Sequence, residues 1–234
     1  MNKLFLMATL MLAGFANAAK PIRTLVPVDA VYAPIGFDNN DNSEVIVSGF
    51  LPNLCYKSPF TKVRARGNTV EIVAGALKET DANSFCPEVL VPFVETVRLG
   101  VVAKGVYKIS VNKGTSFSAN TKLRVSQSAT NAIDDYLYAN VESLEKDYDK
   151  GILKLKGYNP SDCVVLDEVK IISNKKDTYS ILPKMKVISN DCPMKMMPFE
   201  YKVRVPKSLK VDKVLLHVRV MNGKSLNTVY DYNF

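Results

Sequence analysis

Six stretches of the chain alternate apolar and polar residues: SEVIVSGF from Ser43, NTVEIVAG from Asn68, VYKISVN from Val106, GILKLKGY from Gly151, YKVRV from Tyr201 and KVLLHVRV from Lys213. In an extended strand every second side chain shares a face, so each stretch predicts a strand with one buried face. β-Branched residues enrich the apolar positions, as a pleated surface favours. Turn formers separate the stretches, among them Gly67 with Asn68, Asn174 through Asp177, and Asn222 with Gly223. The pattern predicts an all-β sandwich. The one segment with helical character, Asn131 to Asp149, is read as a strand and a polar turn, because its repeat counterpart around Tyr32 is strand-like and flanked by Pro27 and Pro34.

The pattern is written twice. GFLPNLCYK from Gly49 and GYNPSDCVV from Gly157 align Gly49 with Gly157, Pro52 with Pro160 and Cys55 with Cys163, each 108 positions apart. Downstream, Cys86-Pro87 answers Cys192-Pro193 and Pro92-Phe93 answers Pro198-Phe199, now 106 positions apart. VYKISVNKG from Val106 resembles LLHVRVMNG from Leu215, Val45 and Val47 answer Leu153 and Leu155, and DAVYA from Asp29 is aligned with DYLYA from Asp135. A repeat of this length is one domain rather than one unit of a solenoid. The expected organisation is a first domain over 19–126, a short polar linker over 127–131 within SQSATN, and a second domain over 132–234.

Equivalent positions in two copies of one fold take equivalent partners, so the repeat pairs Cys55 with Cys86 and Cys163 with Cys192. Loops of this size, closed by a disulfide, stabilise a domain by roughly 3–4 kcal/mol in the chain-entropy model. No C-x-x-C is present and the chain has a single histidine, so the spacing of a zinc or redox site is missing. Gly49 and Gly157 are expected to permit a bulge or a sharp strand exit, with the prolines fixing the connection and the bond clamping a loop or strand end.

Strand pattern, domain size and tandem arrangement together resemble the immunoglobulin-like β-sandwich modules of secreted and envelope proteins of bacteria. The resemblance implies a binding, spacer or adhesion role and brings no catalytic residue with it. The antibody type of inter-sheet disulfide is not expected, since it packs on a Trp and this chain has none.

The N-terminus adds a compartment. Lys3, the apolar run Leu4 to Phe15, and Ala16-Asn17-Ala18 have the order of a secretory signal peptide over residues 1–18, cleaved after Ala18. The run is too short to span a bilayer, so no integral membrane span is expected. The absence of a cysteine just after it disfavours a lipid anchor. A periplasmic or extracellular location follows, consistent with disulfides. Without Lys3 the formal charge falls from +8 to +7. Such a surplus favours anionic partners in general, yet lysines alternating with apolar residues, as in Leu153-Lys154-Leu155-Lys156, read as solvated sheet faces. A nucleic-acid partner does not suit an exported chain.

Candidate chemistry is sparse. His217 in VLLHVRV is placed on the strand face opposite Leu216, Val218 and Val220, and is expected to point outward. FDNNDNSE from Phe37 begins like an EF-hand loop, but Ser43 stands where that loop needs Gly and Gly49 where it needs Glu. The segment Asp38 to Glu44 is therefore read as a turn, with its ion binding left open. Asp134 and Asp135 would face opposite sides of a strand and make a poor catalytic pair. No phosphate-binding loop or dinucleotide fingerprint occurs. Met194, Met196 and Met197 in CPMKMMPFEY are read as core, because the matching segment carries Val89, Leu90 and Val91. No catalytic, metal-binding or cofactor-binding residue is assigned. The expected function is non-enzymatic, an envelope binding or structural module with a protein or glycan partner and an open oligomeric state. The alternative is a secreted inhibitor that presents a disulfide-clamped loop to a hydrolase.

Overall fold

The alternating stretches form strands in a computed structural model that describes residues 20–81, 85–132, 134–189 and 191–233. The segment read as a signal peptide, residues 1–18, lies outside these. The first module contains β1 (Ile22–Leu25), β2 (Val28–Tyr32), β3 (Phe37–Asp38), β4 (Ser43–Leu51), β5 (Tyr56–Arg66), β6 (Thr69–Lys78), β7 (Val91–Gly100), β8 (Gly105–Val111) and β9 (Ala119–Ser126). The second contains β10 (Val141–Asp147), β11 (Ile152–Asn159), β12 (Val164–Ser173), β13 (Thr178–Val187), β14 (Met197–Arg204), β15 (Lys213–Val220) and β16 (Lys224–Asp231). No helix occurs among the described residues.

Each module is a sandwich of a three-stranded sheet and a larger one. The small sheets are β2-β4-β7 and β10-β11-β14; the large ones are β1-β6-β8-β9-β3, with β5 on the other edge of β6, and β12-β13-β15-β16. The set β5-β6-β8-β9 is repeated as β12-β13-β15-β16, with β6 parallel to β8 and β13 parallel to β15, while β1 and β3 belong to the first module alone among the described residues. Inward residues such as Val45, Val47, Ile72, Ile109 and Leu123 fill one core, and Leu153, Leu155, Ile181, Leu216 and Val218 fill the other.

The two glycine motifs sit at one structural position. Gly49 on β4 pairs with Phe93 and Val28, and Gly157 on β11 pairs with Phe199 and Val141. A bulge follows on the neighbouring strand in both modules, between Val28 and Ala30 and between Val141 and Ser143. The upstream alignment needs correcting on this register. Val28 corresponds to Val141, so DYLYA precedes β10 and is not the partner of DAVYA. Tyr138 keeps only an isolated bridge to Lys184 on β13, where the first module has the whole of β1 paired with β6.

Cys55 is bonded to Cys86 and Cys163 to Cys192, with Cα atoms 5.3 and 5.9 Å apart. Each bond joins two crossovers. The chain passes from the small sheet to the large one between β4 and β5, and returns between β6 and β7, so Cys55–Cys86 ties the base of the β5-β6 hairpin. The second bond does the same for β12-β13. Short polar contacts shape both crossovers alike, with the Cys55 N–H donating to Asn53 Oδ1 and the Cys163 N–H donating to Ser161 Oγ.

The methionines are a second correction. Met194 is 92 % exposed and Met196 66 % exposed, and Val89 and Leu90 are exposed too. Both segments run outside the sandwich beside their disulfide before β7 and β14 begin, so apolar content there does not signal core. Met197, the first residue of β14, is half-buried.

Candidate functional site

β15 carries two apolar faces. Val214, Leu216, Val218 and Val220 enter the core of the second module, while Leu215, with Val229 beside it, packs on Tyr32 and Ile46 of the first. The outer face of β15-β16 is thus covered by the outer face of β2-β4. His217 and Arg219 share that face, which explains a further departure from expectation. His217 does leave its own core, as the alternation required, but it enters the junction between modules and is 0 % exposed.

A polar clasp surrounds these residues. The Arg219 guanidinium donates to both carboxylate oxygens of Asp41, at 3.1 and 2.7 Å, and also to Asp134. Asp134 in turn accepts from the Gly223 N–H at 3.0 Å. The Arg219 guanidinium lies 5.2 Å from the Phe37 ring centre and 5.5 Å from that of Tyr138, a cation–π arrangement on two aromatics. Along the same face Glu44 accepts from Ser225 and from the Asn227 amide, which also donates to Thr96 at 3.1 Å. Because the Asn227 nitrogen is so engaged, its oxygen faces His217 Nδ1–H at 2.8 Å. His217 Nε2 has no polar partner among the described residues, and the imidazole meets the Phe37 ring edge-on.

Burial opposes the charge of Arg219, but the hydrogen bond and charge of Asp41, with the charge of Asp134, outweigh it and hold the guanidinium more firmly protonated than usual. Burial pushes the Asp134 carboxyl up despite Arg219. For Glu44, burial pushes up as well, yet hydrogen bonds from His217, Ser225 and Asn227 and the charge interaction with His217 leave the carboxyl below its ordinary value. Burial raises the Tyr138 hydroxyl to about 12. Such an arrangement holds surfaces together. Sealed from solvent, its imidazole has no path to a substrate.

The FDNNDNSE segment supplies the first module's half of the clasp. The Asp38 N–H donates to Asp41 Oδ2 at 2.8 Å and closes a turn, Asn39 Oδ1 accepts from the Ser128 N–H at 2.8 Å, and Asn40 donates to the carbonyls of Thr130 and Ala132. Of the carboxylates in this segment, Asp41 is held by the Arg219 guanidinium and Glu44 by Ser225 and Asn227. Among the described residues no group of acids, His and Cys is arranged to hold a metal ion. Asp134 and Asp135 prove to lie in a loop rather than a strand; Asp134 enters the clasp, and Asp135 accepts from the N–H groups of Ala129 and Thr130 in the linker. Sequence reasoning named Asp134 and His217 but missed Arg219, Asp41 and Glu44 as one cluster. A charged residue on the second face of a strand whose Leu215 is also apolar was the available signal.

Beside the clasp runs an open groove of about 520 Å³, with Asn120, Lys122 and Arg124 from β9 on one side, Asn174 and Lys176 from the β12-β13 turn on the other, and Ile35 between. Its charged lining is entirely basic. A concave surface of one charge sign is suited to binding.

A family model described as the ORF11 beta-sandwich domain matches residues 45–120. The match runs from β4 into β9, under half of the chain, and supports a β-sandwich module there. No curated protein and no solved structure matches the chain.

Proposed function

We propose that the protein is an exported, non-enzymatic binding or structural module of the bacterial cell envelope, related in build to tandem immunoglobulin-like modules. The observation that carries this reading is the assignment of the junction's chemistry. The sole histidine, the buried arginine and the buried acids Asp41 and Glu44 are all engaged in fixing one sandwich against the other. What remains outside is sheet face, loop and groove, which are surfaces for recognition. Two disulfides suit an oxidising location, and no described helix is long and apolar enough to cross a membrane. The test is retention of mature protein on an immobilised envelope fraction compared with a cytosolic fraction. Specific, saturable retention on the envelope fraction supports the reading; none at any salt concentration overturns it.

A second reading, inhibition of a hydrolase, is favoured by the exposed apolar side chains beside each staple. Phe85 is 88 % exposed next to Cys86, and Met194 protrudes next to Cys192. A disulfide-clamped loop loses less freedom on binding. A protease panel assayed with intact protein and with Phe85→Ser and Met194→Ser variants decides it, since inhibition lost in the variants supports presentation and absence of inhibition removes it.

A further inference from the structure

The four adjacent strands β5, β6, β8 and β9 carry a single carboxylate, Glu71, against eight Lys and Arg residues. Register shows how these are spread on the outer face. Arg66, Thr69, Lys108 and Lys122 lie in one row across the four strands, and Arg64, Glu71, Ser110 and Asn120 in the next. Lys62 and Arg124 extend the face at either end, and Arg124 leads into the groove that Lys176 closes. Neighbouring strands are about 4.8 Å apart and alternate residues along a strand about 7 Å, so the cations form a grid. Glu71 is paired with Lys113. None of Lys62, Arg64, Arg66, Lys108, Lys122 or Arg124 makes an ion pair among the described residues.

The second module shows that this is not a general property of the chain. Lys154 and Lys156 share Glu145, Lys184 pairs with Glu168 and Lys186 with Asp167. These four lysines are neutralised in place; on the first module's large sheet Lys57 pairs with Glu79, while the six cations of the grid stand without counter-charge among the described residues.

We propose that this face, together with the groove at its β9 end, binds a linear acidic polysaccharide, carrying one negative charge per sugar along an extended chain. The inference rests on the reading of the protein as an envelope-binding module and names the class of partner. An extended polyanion laid across the strands meets Arg66, Lys108 and Lys122 in succession and continues along β9 to Arg124 and Lys176. The amides of Asn120 and Asn174 in the groove supply donors and acceptors suited to sugar hydroxyls. The four strands present no outward aromatic at these rows, so the stacking platform that single-stranded nucleic acid uses is missing.

A second copy of the chain is a poor occupant. Repeating the packing of the second module on the first would set the β10-β11-β14 face of another chain on this one. At the positions of Ile46 and Ser48, which face the junction from β4, that face has Lys154 and Lys156. Such packing would take Lys154, Lys156 and their shared Glu145 out of water where the junction has an isoleucine and a serine, and desolvating charged groups is unfavourable.

The test is binding of the mature protein to immobilised alginate, a linear polyuronate, with neutral dextran, oligo-dT and phosphatidylglycerol vesicles measured in the same buffer. Alginate binding is expected to weaken at least tenfold in Lys108→Glu/Lys122→Glu, and measurably in the milder Lys108→Gln/Lys122→Gln. It is expected to be unchanged in Lys170→Glu, and to fall as salt rises. The thermal midpoints of the variants verify folding. Equal affinity of the folded double variant, equal binding to dextran, or tighter binding to oligo-dT or to vesicles than to alginate overturns the proposal. Specific retention on the envelope fraction without alginate binding overturns this inference alone and leaves the general binding role standing.

Discussion

Phe93 lies across the backbone of Gly49, and Phe199 lies in the same way across Gly157. A Cβ placed on Gly49 would stand 2.9 Å from the Phe93 ring and 2.2 Å from the Pro27 carbonyl oxygen. On Gly157 it would stand 3.0 Å from the Phe199 ring and 2.0 Å from the Asn140 carbonyl oxygen. The repeated glycine and the repeated Pro-Phe are therefore one device, a bulged strand and an aromatic ring brought against a bare α-carbon.

Gly49→Ala and Gly157→Ala should each destabilise their module by on the order of 1–3 kcal/mol through overpacking. Neither glycine needs a left-handed backbone, since neither is among the glycines of positive φ, so the cost is steric. Denaturant unfolding of each variant measures it; an unchanged midpoint would contradict the close approach.

Arg219→Met leaves Asp41 and Asp134 facing each other at a buried junction without their cation. A loss of about 3–5 kcal/mol is expected, with the modules separating before they unfold. Small-angle scattering should show a larger radius of gyration for the variant in native buffer. Replacing the acids as well, as Asp41→Leu/Asp134→Leu/Arg219→Met, should recover much of the stability, because the uncompensated charge is gone.

Acid should loosen the same junction. The Glu44 carboxyl is held below its ordinary value of 4.5 in the folded protein, so the unfolded chain binds its proton first as pH falls. The stability it supplies is complete above 4.5 and is lost as pH drops through the lower folded value. Asp134, raised by burial, works in the opposite sense. Glu44→Gln should flatten the acid limb of a stability–pH profile; an acid limb identical to that of the parent protein would remove Glu44 as its source.

Reduction of either disulfide should cost its module roughly 3–4 kcal/mol in the chain-entropy model, since the loops closed span 31 and 29 positions. Cys55→Ser/Cys86→Ser and Cys163→Ser/Cys192→Ser, unfolded separately in denaturant, test this module by module. Met194→Ser/Met196→Ser should leave stability within about 0.5 kcal/mol of the parent, as side chains in water contribute no core.

Much of the fold was legible because alternation is a local signal. The period of two in KVLLHVRV separated Val218 from His217, and the spacing of the Gly, Pro and Cys landmarks exposed the repeat and so the disulfide pairing. DYLYA misled because a shared Tyr-Ala looks like homology, while register is set by backbone pairing. The methionine segment misled because composition cannot tell an apolar loop at a crossover from core.

By itself, then, the sequence determined which residues leave each sandwich core and which cysteines pair, since both follow from order and spacing along one chain. Only the tertiary structure decided where the outward residues go. Lys108 and His217 stand at equivalent positions of β8 and β15, yet one meets water and the other is sealed against Phe37 and Glu44. A strand pattern states that a side chain leaves its own core; whether another module covers it depends on contacts between residues more than a hundred positions apart.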